Sequence, residues 1–326
     1  MATYQNIKGL RVKYLSADPS TGTAGEVWYN STSGTLKASV IGTAAWSSGG
    51  NMLVGRNNAV TFGIQTSAVF AGGHAPALTL SSETYDGTSW TEGSNLGSPA
   101  DYSAAAGVAT AGLAFGGSPP IGGAGNDTQS YNGSTWSEEN NLTTGRYDLG
   151  GSGTDTAALC AGGSPAANTG SPLSEEYNGT SWTEGEDLGT GRYKLTQLGT
   201  QTASVAVGGD TGPANVDSVE EYNGTSWAAG TAYPAPLTYA GSAGTATAGL
   251  VFLGDLNNAG YDVVTNSYDG SAWTVQPSLA NAGGRSEGCG TSAAALAASG
   301  GPSSGRKDGS EEWNGAVVET QTLTTS

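Results

Sequence analysis

Short apolar runs closed by glycine recur along the chain: AVFAGG (68–73), GLAFGG (112–117), ALCAGG (158–163), SVAVGG (204–209), LVFLGD (250–255) and ALAASGG (295–301). An apolar run of this length between turn residues predicts a strand buried on both faces. A second strand-like stretch precedes each run, closed in three copies by GTDTA, GTQTA or GTATA, so the two form a hairpin. Downstream lies a tyrosine at Tyr85, Tyr131, Tyr177, Tyr222 and Tyr268, with Trp313 in its place in the last copy, at a spacing of 45 or 46 residues. In the first five copies a tryptophan follows five positions later, at Trp90, Trp136, Trp182, Trp227 and Trp273, with Asn-Gly or Asp-Gly between the two aromatics. These dipeptides favour tight turns because both positions tolerate positive φ, so Tyr and Trp close a second hairpin. Each period therefore supplies four short antiparallel strands. One such unit cannot bury both its faces, which requires the units to pack face to face around an axis.

The order of apolar run, Gly-Gly, Tyr and Trp over residues 51 to 318 resembles the kelch repeat. That resemblance implies an all-β, kelch-type (galactose-oxidase-like) β-propeller of four-stranded antiparallel blades. The blade number turns on the first fifty residues. Trp46 stands 44 positions before Trp90, Ile41 takes the Tyr position, and GLRVKYLS (9–16) serves as the innermost strand of a degenerate first blade. The expectation is one propeller over 1–326 with seven blades, approximately 7–50, 51–95, 96–140, 141–186, 187–231, 232–277 and 278–322. The alternative is six blades preceded by an N-terminal hairpin arm.

GEVWYNSTSGTLKASVIGTAAW (25–46) carries a second resemblance, to a hairpin segment of tail-fibre and other virion proteins of tailed bacteriophages. There, a Gly-Asp/Glu-x-Trp strand, a polar turn and a Leu-Lys strand end at a Trp. The wording YNGTSWTEG followed by TGRY (177–185, 190–193) is likewise similar to propellers of marine phages and their hosts.

Composition narrows what such a propeller does. A net charge of −17, from 28 acidic and 11 basic residues, argues against nucleic-acid backbones and anionic membrane surfaces as partners. No signal peptide or apolar stretch of about 20 residues is visible, so the chain is expected to be made in a cytoplasm without membrane insertion. Cys160 and Cys289 fall in different repeats, inside strand-like runs, and are expected to be buried free thiols.

Candidate chemistry is sparse. His74 is the single histidine, which excludes the two-histidine copper site of galactose oxidase and leaves little for Ser-His-Asp or Cys-His catalysis. The paired acids Glu175-Glu176, Glu220-Glu221 and Glu311-Glu312 recur at one register and read as a solvated strand edge. The repeated Tyr and Trp, at one pair per blade, read as packing residues. Loops 123–129, 209–217 and 254–262 offer oxygen ligands for Ca²⁺ without the spacing of a defined calcium loop; no cofactor is expected.

The arginines are more informative. Arg56, Arg146 and Arg192 each lie ten positions after a Trp, and Arg285 lies twelve after Trp273. If the strand that follows is innermost, they gather at one mouth of the channel, where the kelch resemblance implies capture of acidic ligands. The competing expectation is that each ties one blade to the next through backbone carbonyls.

Together these readings predict a non-enzymatic virion component of a tail, fibre or capsid surface. Its partners would be other virion subunits and a host-surface receptor, a glycan being one candidate. The runner-up is an intracellular kelch module holding an acidic partner on its arginine rim, and the third a glycan-active enzyme.

Overall fold

The aromatic hairpin forms as a four-residue loop capped from within. In each of five copies the turn acid or amide, Asp86, Asn132, Asn178, Asn223 or Asp269, accepts hydrogen bonds from the backbone N–H groups two and three residues on. Only the glycine that follows adopts positive φ, for example 89° at Gly87 and 91° at Gly224. The Asn-Gly signal thus acts through side-chain capping of the loop. Tyr and Trp then face each other as cross-strand partners, with ring centroids 4.5 to 5.1 Å apart.

The structure, a computed structural model, describes residues 12–20, 22–75, 77–118, 123–167, 169–256, 262–281, 287–300, 307–316 and 318–323. The chain divides into two compact units, one made of residues 46–314 and the other of 1–45 with 315–326. The larger unit is a ring of six four-stranded sheets, named here blades I to VI, each with its strands a to d running from the axis outward. Blade I is Val60–Ile64, Ser67–Ala71, Ser82–Tyr85 and Trp90–Glu92. Blade II is Ala104–Val108, Ala111–Phe115, Thr128–Tyr131 and Trp136–Glu138, and blade III is Gly150–Gly153, Ala158–Ala161, Ser174–Tyr177 and Trp182–Glu184. Blade IV is Thr196–Thr200, Ala203–Val207, Val219–Tyr222 and Trp227–Ala229, and blade V is Gly241–Thr245, Ala248–Phe252, Thr265–Tyr268 and Trp273–Gln276. Blade VI joins Glu287–Gly290, Ala294–Gly300 and Lys307–Asn314 to Ala45–Ser48, which supplies its strand d.

The expected seventh blade is absent from the ring. The six a strands neighbour one another in a closed cycle, I to VI and back to I. Trp46 belongs to the last blade, and Trp313 takes the Tyr position beside it at 5.5 Å. The proof is a repeated bond. Trp182 Nε1 of blade III donates to Thr128 Oγ1 of blade II (3.0 Å), and Trp46 Nε1 of blade VI donates in the same way to Thr265 Oγ1 of blade V (3.0 Å). Strand d of blade VI is fastened by Gly49 N to Ser310 O and Met52 N to Asp308 O, an antiparallel closure of the first strand of the ring on its last sheet. Ile41 is not a blade residue, and of 9–16 only Lys13–Leu15 forms a described strand, outside the ring. Residues 9–11 lie outside the described residues.

Between blades, aromatic rings fill the wedge. Phe62 of blade I meets Trp136 of blade II (5.9 Å), Phe115 of blade II meets Trp182 of blade III (4.8 Å), and Phe252 of blade V meets Trp46 (5.0 Å). The b strands are the driest, with Leu113, Leu159, Val205 and Leu296 fully buried. Where strand a turns into strand b, a glycine at positive φ lets the two backbones approach. At Gly199, φ is 118° and an added Cβ would run into the Ala203 carbonyl oxygen. We expect Gly199→Ala to lower stability by about 1–3 kcal/mol in denaturant unfolding, while Gly309→Ala, with open space around it, changes little.

Cys160 and Cys289 are free and buried, as expected. Burial pushes their thiols up to about 11 and about 12, respectively, so thiolate is scarce at neutral pH. Neither thiol should react with a disulfide reagent at neutral pH until denaturant is added, when both should titrate; rapid labelling of folded protein would contradict the packing.

The smaller unit is one sheet in which Lys13–Leu15 runs parallel to Val27–Asn30, and Val27–Asn30, Thr35–Ile41 and Val318–Thr322 pair antiparallel. Its hairpin is the one the sequence marks at 25–46, and one carboxylate accounts for the Trp and Lys of that pattern. Asp18 accepts from Trp28 Nε1 (3.0 Å), Asn30 Nδ2 (2.7 Å) and Lys37 Nζ (2.6 Å). The Lys37 hydrogen bond, helped by those of Asn30 and Trp28, draws the Asp18 carboxyl down to about 2. A lowered folded-state value stabilises this unit above the ordinary Asp range, and the effect is lost as pH falls through about 2. Emission from Trp28 should therefore change between about pH 4 and pH 2, and Asp18→Asn should remove that transition.

Candidate functional site

Three of the four candidate arginines do not line the channel. Arg56, Arg146 and Arg192 are 0 or 1% exposed, and each pairs with a carboxylate on strand c of its own blade. Arg146 Nη2 lies 2.8 Å from Glu175 Oε1, Arg56 Nη2 2.5 Å from Glu83 Oε1, and Arg192 Nη1 3.0 Å from Glu220 Oε1. Remaining donors go to carbonyls, such as Arg146 Nη1 to Gly162 O and Leu173 O. A guanidinium so enclosed has no fork free for an external acid. The expectation that ties them to backbone carbonyls is the one the packing supports, although the ties lie within a blade. Arg285 lies outside the described residues.

The paired acids are correspondingly not a solvated edge. The first of each pair is buried and takes backbone N–H groups as well: Glu175 from Thr143 and Thr144, Glu220 from Gly189, Glu311 from Ala280 and Asn281. The second is a latch between blades. Tyr222 Oη donates to Glu176 (2.6 Å), Tyr85 Oη to Glu312 (2.7 Å), and Tyr268 Oη to Glu221. Burial, then the accepting carboxylate, pushes the Tyr85 phenol up to about 12, and Tyr222 and Tyr268 are raised for the same two reasons. The repeated Tyr and Trp are packing residues, as their register predicts.

Two residues beyond each arginine position, a different ring appears. Asn58, Tyr102, Asp148, Lys194 and Tyr239 are all left-handed, with φ between 53° and 59°. The conformation is rare for Tyr and Lys and costs about 1–2 kcal/mol per residue. A backbone relay explains it. Tyr102 N donates to Asn58 O, Asp148 N to Tyr102 O, Lys194 N to Asp148 O, and Tyr239 N to Lys194 O, at 2.8 to 3.1 Å. Each bond ties one blade to the next around the axis.

The same five residues line one mouth of the central channel, around a cavity of about 120 Å³. Glycine would complete the relay with less strain, so the side chains are a separate feature of the site. Lys194 Nζ bonds Asp210 Oδ2 (3.0 Å) and stands over the rings of Tyr193 (4.6 Å) and Tyr239 (5.4 Å). Tyr239 Oη donates to Asp148 Oδ2 at 3.4 Å. Glu287 of blade VI reaches the same cavity. Its surroundings are dense protein although its surface touches the void, and burial followed by the charge of Asp148 pushes its carboxyl up to about 8. A second void of about 150 Å³ opens toward the opposite end and shares Thr61, Gln197 and Ser242 with the first.

The fold is a kelch-type β-propeller. A solved structure titled "Structure of YjhT" superposes with a TM-score of 0.66 at 12% identity, over 85% of this chain and 99% of that one. At that identity the likeness concerns the fold alone. No family model and no curated protein matches the sequence.

The mouth residues were within reach of sequence reading. They sit in register two positions after Arg56, Arg146 and Arg192, but Asn, Asp and Lys share no chemistry that a repeat search would flag. Among the described residues, no three His, Cys, Asp or Glu side chains gather as a metal-binding set. Of the loops considered for Ca²⁺, Asp210 is held by Lys194 and caps Gly212 N, while 257–261 lie outside the described residues.

Proposed function

We propose that this protein is a non-enzymatic component of a tailed-phage virion, in which the propeller presents loops to a host-surface receptor and the smaller unit docks on a neighbouring subunit. The observation that carries this reading is the smaller unit itself. The ring closes with residues 45–314, so the sheet built from 12–41 and 318–322 is an appended module. That module contains both strands of the hairpin segment that resembles phage virion proteins, while the closing Trp46 of the segment lies in blade VI. It also exposes apolar side chains out of proportion to its size: Tyr14 is 78% exposed, Ile41 68%, Val318 45% and Leu323 41%. Ile41 and Val318 are cross-strand partners, and Val318–Thr322 is an edge strand. An apolar patch beside an open edge suits association with another β-rich subunit.

Three arginines of the rim that an intracellular module would use for an acidic partner, Arg56, Arg146 and Arg192, are consumed inside the blades. The test is mass spectrometry and cryo-EM of purified particles from infected host cells. Density for the ring on the particle, with the appended sheet against a neighbour, is the expected result. Protein that stays free while particles assemble normally would overturn the proposal.

A further inference from the structure

We propose that two copies of this chain join through Val318–Thr322, pairing antiparallel about a two-fold axis so that their smaller units form one continuous sheet. The inference rests on the docking role proposed for the smaller unit and names the partner.

Apart from the a strands, which face the channel axis together, Val318–Thr322 is the longest sheet edge among the described residues, and all five of its residues are exposed. The outermost strands of the blades are three or four residues long, and exposed Glu92, Glu138 and Glu184 guard three of them. Lys13–Leu15, the opposite edge of the smaller sheet, is three residues long and begins with a lysine. Val318–Thr322 has neither proline nor lysine, and Glu319 is its one charge. Such an edge is a template for another strand.

Backbone geometry fixes the register. Leu323 N donates to Leu36 O, whereas Ser39, in the facing strand, exchanges its bonds with Gly25 and Glu26 on its other side. Antiparallel ladders alternate, so Glu319 and Gln321 direct their N–H and C=O groups to Val40 and Ala38. Val318, Thr320 and Thr322 point theirs away from the sheet. A two-fold axis through Thr320 pairs all three at once, Thr320 with the partner's Thr320 and Val318 with the partner's Thr322 in both directions, for about six backbone hydrogen bonds.

Side chains agree with that register. It sets Glu319 opposite the partner's Gln321, whose amide can donate to the carboxylate, and opposes no like charges. Moving the axis to Glu319 would set the two carboxylates face to face. Val318, 45% exposed beside Ile41, gains the methyl group of the partner's Thr322. An edge complementary to itself at each opposed pair suits a second copy rather than an unrelated strand. Net charge agrees as well. The ring unit, 46–314, has 25 acidic and seven basic residues, against three acidic and four basic in the smaller unit. A chain carrying −17 repels its own copies through the ring, so the near-neutral unit is where two copies can meet.

The experiment is sedimentation velocity of the full chain between about 1 and about 300 µM, a range that covers a small interface. A reversible monomer–dimer equilibrium is expected, tightening as salt rises from about 50 to about 500 mM and screens the repulsion. Gln321→Glu sets acid against acid twice and should weaken the dimer at least about tenfold at low salt, whereas Gln321→Lys should tighten it. Thr320→Pro removes the outward N–H at the axis and should abolish the dimer, with Trp28 emission reporting that the sheet is intact. A monomer at every concentration, assembly beyond the dimer, or a dimer indifferent to both Gln321 variants would overturn the proposal. A monomer that still enters particles would remove this partner and leave docking on a virion subunit standing. A dimer absent from particles would remove the virion reading and leave the self-pairing standing.

Discussion

Arg192→Leu is expected to cost about 3–5 kcal/mol of stability, and Glu220→Gln added to it should recover most of that loss. Removing one partner of a buried pair strands the other's charge, whereas removing both leaves a packable neutral site. The chain itself contains the control. Blades I, III and IV place Arg56, Arg146 and Arg192 against Glu83, Glu175 and Glu220. At the corresponding positions blade II has Ala100 with Gln129, and blade V has Leu237 with Asn266, all buried. Gln129 Oε1 still accepts from Gly97 N (2.7 Å) and Ser98 N (3.1 Å), as the glutamates accept from their own loops. The fold therefore tolerates either a charged pair or a neutral one, and the five blades in which both positions are described show no mixed pair. Arg192 suits the test because its Nε is buried without a partner, and burial pulls its basicity down against the pull of Glu220. Urea unfolding of both single variants and the double variant, followed by tryptophan emission, gives the coupling energy. Costs that simply add would remove the ion pair from the account of blade stability.

The second large effect concerns closure. A fragment spanning 44–316 keeps Ala45–Ser48 as strand d of blade VI, whereas one spanning 49–316 loses it. The longer fragment is expected to unfold in one transition, and the shorter to be cleaved readily by protease and to melt many degrees lower. The difference includes Trp46, packed on Phe252 and Trp313 and bonded to Thr265; loss of a buried aromatic side chain alone costs about 3–5 kcal/mol. It also includes the exposed edge of Lys307–Asn314, which becomes a template for association. Against a total stability of about 5–15 kcal/mol, the shorter fragment is expected to be marginal. Equal melting of the two would mean that the ring does not depend on its first strand.

Tyr177 and Trp182 show how much local pattern conveyed. Their spacing, the Asn178-Gly179 turn between them and the dry run ALCAGG upstream all describe one hairpin pair, and every contact they predict lies within about 30 residues. Trp46 shows the opposite. Its spacing from Trp90 suggested a first blade, but its strand pairs with residues some 265 positions away, and periodicity carries no information about which end of the chain completes which sheet. Glu175 is a third kind of case. Its recurrence was visible, yet a repeat at fixed register is equally consistent with a wet edge and a buried pair until the loop carrying Arg146 is seen folded over it.

The amino-acid sequence by itself determined the strands, their hairpins, the aromatic packing pair, the free thiols and the propeller class, because these rest on contacts between near neighbours repeated along the chain. The tertiary structure alone decided that the ring has six blades, that Arg56, Arg146 and Arg192 are buried against carboxylates of their own blades, and that Asn58, Tyr102, Asp148, Lys194 and Tyr239 meet at one mouth. Each of those depends on closing a circle. Closure sets distant segments side by side through backbone bonds and burial, and neither leaves a mark in the local spacing of residues.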